Sequence, residues 1–103
     1  MMINENLLKS IENGTQLGKR FCFYINDELC WSSVGIQKWE KKYKVYVDEI
    51  LESKMNCEEY LREEIIEFDS LNDAVFFIND NTRVNINELA TCKGQKIFNP
   101  KFN

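Results

Sequence analysis

Carboxylates dominate the side chains that could do chemistry here: seventeen Asp and Glu stand against thirteen Lys and Arg, with four cysteines and no histidine. The missing histidine removes the commonest general base and every Ser-His or Cys-His nucleophile system. A carboxylate pair such as Glu59 and Glu63, at i and i+4, has the right groups for acid–base work. That chemistry also needs a pocket that raises one of the two pKa values, and carboxylates crowded on a surface are ordinarily solvated. No catalytic residue is assigned, and the chain is expected not to be an enzyme. Asn79-Asp80-Asn81 offers oxygen ligands but lacks the spacing and the distal Glu of a calcium loop. Cys22, Cys30, Cys57 and Cys92 form no C-x-x-C pair, so no metal site is expected, and the thiols read as reduced, packed as small hydrophobes. Gly14, Gly18, Gly35 and Gly94 make no phosphate loop. Lys93-Gly94-Gln95-Lys96 reads as a turn exposing two lysines, and no cofactor is expected.

The carboxylates are unevenly spread. Asp48 to Asp80 holds eleven of the seventeen, countered only by Lys54 and Arg62, so this window sums to about −9 and the remainder to about +5. A domain of net charge −4 with such a division steers charged partners. The densest part supplies the first candidate partner-binding set: Glu58, Glu59, Glu63, Glu64, Glu67 and Asp69. Arg62 alone cannot pair them all, and like charges at i, i+4 cost a few tenths of a kcal/mol each. A solvated face that aids solubility is one reading of them, and a negative patch that docks a basic protein is the other.

A second candidate set is Lys38, Trp39, Lys41, Lys42 and Lys44, where lysines interleave with aromatic rings as a single-strand nucleic-acid platform would need. Against that use stand a pI near 4.9 and the acidic window, which repels phosphate.

The elements that must position these groups follow from periodicity. Ile3, Leu7, Leu8 and Ile11 recur at helical spacing, with Asn4 or Asn6 as cap and Gly14 as stop, predicting a helix over 4–13. Residues 20–25 and 29–34 flank a polar Asn26-Asp27-Glu28 and predict a hairpin. A three-residue loop would pair Ile25 with Leu29 and Phe23 with Trp31, gathering apolar side chains on one face. It is preferred to a two-residue loop, which would oppose Phe23 to Cys30 and Ile25 to Glu28. The preferred register puts Cys22 and Cys30 on one face.

Gly35 is expected to break the second strand. A third follows at 42–47, with Tyr43, Val45 and Val47 inward and a basic, aromatic outer face of Lys42, Lys44 and Tyr46. Residues 57–68 are read as a helical turn or two followed by a strand at 64–68. Ser70-Leu71-Asn72-Asp73 resembles a capping box, and Leu71, Ala74, Val75 and Ile78 then define the main core helix, with Phe76 and Phe77 widening its stripe and Asn79-Asp80-Asn81-Thr82 ending it. Residues 85–91 suggest a last short helix with Ile86, Leu89 and Ala90 inward. The fold class is α+β: one domain over 1–103, a small antiparallel sheet of a β-hairpin plus one or two further strands, and helices packed on one face.

Glu63-Glu64-Ile65-Ile66-Glu67-Phe68-Asp69-Ser70-Leu71-Asn72-Asp73-Ala74, with Asn81-Thr82, Glu88-Leu89 and Lys93-Gly94-Gln95-Lys96-Ile97-Phe98-Asn99-Pro100 downstream, resembles the small immunity proteins of bacterial polymorphic-toxin systems. The resemblance implies a bacterial antitoxin that binds its cognate toxin stoichiometrically and occludes it. It carries over no contact residue, so the candidate sites rest on charge alone. With no basic leader and no apolar run long enough to span a bilayer, the chain reads as a soluble cytoplasmic protein. The expected partner is a cognate toxin or another basic protein. The alternative is a nucleic-acid-binding or regulatory module using the 38–46 strand. Oligomeric state stays open.

Overall fold

A computed structural model describes residues 3–102. Helix α1 (Glu5–Glu12) leads into β1 (Leu17–Ile25), β2 (Glu28–Trp39) and β3 (Lys42–Leu51). A 3₁₀ helix (Glu52–Cys57), β4 (Arg62–Phe68), α2 (Leu71–Asn81), a second 3₁₀ turn (Ile86–Glu88) and the two-residue β5 (Ala90–Thr91) complete the order. The strands form one antiparallel sheet, β4-β3-β2-β1-β5. The α+β class is as expected, with five strands.

Both helices cover one face. Leu17, Val34, Ile36, Val45 and Val47 project from β1, β2 and β3 into a core with Ile11 of α1 and with Leu71, Ala74, Val75 and Ile78 of α2. Each helix is capped as its sequence requires. Asn4 accepts the Asn6 N–H at 2.8 Å, Ser70 Oγ accepts that of Asp73 at 3.1 Å, and Gly14 ends α1 with φ near 84°. Phe77 packs on Phe68, their ring centroids 5.4 Å apart. Phe76 instead points outward at 68% exposure, because at about 100° per residue it falls on the side of the helix away from Leu71, Ala74, Val75 and Ile78.

The first hairpin adopts the register that the sequence argument set aside. Ile25 pairs with Glu28, Tyr24 with Leu29 and Phe23 with Cys30, and the loop is Asn26-Asp27, both at positive φ (48° and 67°). A two-residue turn with two left-handed centres matches the right-handed twist of its strands, and Asn and Asp tolerate that conformation best. Turn chemistry outweighs apolar pairing at this exposed tip. Cys22 and Cys30 consequently lie on opposite faces, the first exposed and the second buried, and both are free thiols.

β2 does not stop at Gly35. It runs on to Trp39, and Gly35 pairs with Gly18 of β1 and Tyr46 of β3. The turn before β4 lies at Glu52–Cys57, earlier than expected, with the strand itself at Arg62–Phe68. Residues 85–91 form a 3₁₀ turn and a short strand rather than a helix. Ile86 and Leu89 are buried as expected, but Ala90 is exposed.

Candidate partner-binding site

The face opposite the helices carries Gly18, Arg20, Cys22 and Tyr24 from β1 and Trp31, Ser33, Gly35, Gln37 and Trp39 from β2. From β3 and β4 come Lys44, Tyr46, Asp48, Ile50, Glu63, Ile65 and Glu67, as the strand registers require. Strand alternation makes this the polar side, yet half of it is not solvated. The segment around Ile97 and Phe98 lies across it. Phe98 stacks on Tyr46, centroids 5.5 Å apart and rings nearly parallel, and it sits against Gly35, where a Cβ would fall 3.0 Å from the Phe98 ring. Gln16 clamps the segment. Its Nε2 donates to the Phe98 carbonyl and to Gln37 Oε1, each at 2.9 Å, while its Oε1 accepts the Ile97 N–H at 2.7 Å. Lys44 and Tyr46 are thereby buried, at 5% and 7% exposure, so the expected solvated basic face of β3 is in fact an interior one.

The other half, toward the first hairpin, stays open. There Arg20, Trp31, Ser33, Asp48, Ile50, Met55, Glu58 and Tyr60 enclose a cavity of about 250 Å³. The β4 turn closes one side, with Glu58 in a left-handed conformation and Leu61 N–H donating to the Glu49 carbonyl at 2.8 Å. Asp48 forms the floor. Its Oδ1 accepts the Ser33 N–H at 2.7 Å, and its Oδ2 lies 2.8 Å from the Tyr46 hydroxyl, which is also 2.9 Å from Glu63 Oε2. A phenol has one proton to donate. Two carboxylates on one hydroxyl therefore leave one short oxygen–oxygen contact that a further proton or a cation must bridge.

This crowding shifts the protonation of the groups involved. Burial raises the Asp48 carboxyl above its ordinary range, against the Tyr46 and Ser33 hydrogen bonds that lower it. Burial, and then the Asp48 and Glu63 carboxylates, push the Tyr46 phenol up as well. Tyr60 is raised by burial and by Glu63, Asp48 and Glu58 together, so three carboxylates project their field into one cavity. Arg20 is the cation there, with Nε on Ser33 Oγ at 3.1 Å.

A carboxyl whose folded pKa lies above its unfolded one binds more protons folded than unfolded. Stability then falls as pH rises from about 4 through the raised value. Asp48→Asn keeps the oxygen that accepts from Ser33 and removes the charge. It is expected to raise the thermal midpoint at pH 7 and to flatten its decline between about pH 4 and 7. Midpoints followed by circular dichroism across that interval check this, and a midpoint lowered at pH 7 would contradict it.

The six acidic candidates do not form one surface. Strand alternation sends Glu63 and Glu67 to the face opposite the helices and Glu64 to the helix face. Glu64 pairs with Arg62 and Asp69 with Lys42, Glu67 contacts Lys44 at 2.8 Å and Glu59 contacts Lys54 at 3.7 Å. Glu58 and Glu63 remain beside the cavity. The basic set is divided likewise. Lys38 pairs with Glu12 at 3.1 Å, Lys42 and Lys44 hold the acids just named, Lys41 is exposed in the β2–β3 turn, and Trp39 lies beneath the Lys101 ammonium, 5.9 Å away. Trp39 also lines a second cavity of about 520 Å³ with Phe98, Pro100, Lys96 and Lys101.

Charge counting passed over Arg20, Trp31, Ser33, Tyr46, Asp48 and Tyr60. A signal for them existed in Gly18 and Gly35, since glycine within strands marks close approach of another segment. Recognising that half the polar face was covered would have directed attention to the other half.

No family model, curated protein or solved structure matches the chain. Among the described residues, no cluster of His, Cys, Asp and Glu is placed to hold a metal ion, and no helix is long and apolar enough to cross a membrane.

Proposed function

We propose that this protein acts by binding another protein, as a cytoplasmic immunity protein that occludes a basic toxin. The observation that carries this reading is the open half of the second face. Exposed Met55 and Tyr60 and half-buried Trp31 line it together with Asp48 and Glu58, and Glu63 stands behind Asp48 on the Tyr46 hydroxyl. Interface anchors are enriched in Trp and Tyr set in a desolvated centre, and surplus negative charge speeds encounter with a basic partner. The nucleic-acid alternative draws less support, because Lys38, Lys42 and Lys44 each face a carboxylate of the same chain.

Affinity capture with the tagged protein, from native extract or with the neighbouring gene product, tests the reading at low and high salt. One stoichiometric basic protein released at high salt is the expected result. Recovery of nucleic acid, or of no partner, would overturn it. Against the captured protein, the double variant Glu58→Lys, Glu63→Lys is expected to lose about tenfold or more in affinity at low salt, mainly through slower association. The change should shrink as salt rises. Glu59→Lys with Glu64→Lys serves as the comparison and should lose less. Equal losses in the two pairs, read by titration calorimetry, would remove the cavity from the mechanism.

A further inference from the structure

We infer that the cavity floored by Asp48 and walled by Trp31, Ile50, Met55 and Tyr60 is a socket for one arginine side chain of the partner. The inference rests on the protein-binding reading and names the contact that anchors it. Size, charge and hydrogen bonding together point to a guanidinium.

Size is the first. A cavity of about 250 Å³ falls below the ~300–1,000 Å³ of small-molecule and cofactor pockets and suits a single long side chain. Charge is the second: Asp48, Glu58 and Glu63 outnumber Arg20, and Tyr60 feels all three carboxylates. The third is the hydrogen-bond count at Tyr46, whose single proton faces Asp48 at 2.8 Å and Glu63 at 2.9 Å. The acceptor oxygens there exceed the protons available, so the arrangement lacks a donor. A guanidinium supplies several in one plane, pairs bidentately with carboxylates and stacks on aromatic faces, whereas an ammonium is a compact and strongly hydrated point charge. Trp31 and Tyr60 provide the faces. Arg20, which lines the cavity with its Nε on Ser33 Oγ and its charge acting on Asp48, shows that this environment accepts a guanidinium.

A guanidinium competes with protonation of Asp48, whose carboxyl burial raises, so binding strengthens as pH rises above the ordinary carboxylate range. The groups that set this dependence are Arg20 of β1, Ser33 of β2, Tyr46 and Asp48 of β3, Glu63 of β4, and Glu58 and Tyr60 of the turn before it.

The test is a nuclear magnetic resonance titration of the intact, nitrogen-15-labelled protein with the blocked tripeptide Ac-Gly-Arg-Gly-NH2. Its citrulline counterpart, neutral but nearly isosteric, is the control. Saturable movement of the Trp31 indole N–H by the arginine peptide alone is expected, weaker by about fivefold or more in Asp48→Asn and at pH 4.5. Tyr60→Ala, at an exposed position, weakens it independently should the Asp48 substitution disturb the fold. Equal movement by the citrulline peptide, movement at Trp39 in place of Trp31, or no movement overturns the socket. If a basic partner is captured but binds Asp48→Asn and Tyr60→Ala with unchanged affinity, the socket is likewise overturned while the inhibitor reading stands.

Discussion

Replacing Gln16 by alanine is expected to lower the unfolding free energy by about 3 kcal/mol and to free the segment around Phe98 from the sheet. Gln16 is 3% exposed and makes contacts no other side chain can take over. Truncation strands the Phe98 carbonyl, the Ile97 N–H and Gln37 Oε1 in the interior, and each buried group left unpaired costs roughly 1–3 kcal/mol. The total stays below their sum, because once the segment lifts, water satisfies the stranded groups. The ceiling is therefore the docking free energy of the segment itself. Urea unfolding gives the stability change, and amide exchange at Ile97 and Phe98 reports the release. A loss under about 1 kcal/mol with exchange unaltered would show that the clamp contributes little.

Gly35→Val is expected to act on the same segment from below and to cost about 2–3 kcal/mol. A Cβ at Gly35 would stand 3.0 and 3.1 Å from two atoms of the Phe98 ring and 3.3 Å from the Leu17 carbonyl oxygen. The ring is held by its stacking on Tyr46 and the carbonyl by the β1–β2 ladder, so neither yields without losing contacts. The valine branches deepen the clash. Because both substitutions release one segment, the double variant should lose clearly less than the sum of the two single losses. Strict additivity in urea midpoints would indicate that Gln16 and Gly35 support different parts of the structure.

The helices were legible in the sequence because their signals are local. A cap, a 3.6-residue stripe and a stop residue lie within about a dozen positions of one another for both α1 and α2. The strands were legible as strands, but their register and outer face were not. At Asn26-Asp27, facial chemistry favoured one pairing and turn stereochemistry another, and a turn at an exposed tip obeys its dihedrals. On β3, Lys44 and Tyr46 alternate with Val45 and Val47 as a solvated face would, and nothing nearby reveals that Phe98 covers them. Six acidic residues adjacent in sequence likewise looked like one patch until β4 divided them between two faces. The turn and the alternation of β4 are local features that a competing pattern outweighed, whereas the cover over β3 is a contact between residues distant along the chain, which no local window contains.

The clamp between Gln16 and Phe98 joins residues 82 positions apart, and this separation bears on how the native state is reached and left. Closing so long a loop is entropically costly, so contacts of that kind form after local hairpins have organised the sheet. Phe98 then docks on a sheet that already exists. Interactions absent from the folding barrier set the rate of escape rather than the rate of arrival. The Gln16 clamp thus acts as a kinetic latch: it leaves the speed of folding almost untouched and lengthens the lifetime of the folded protein.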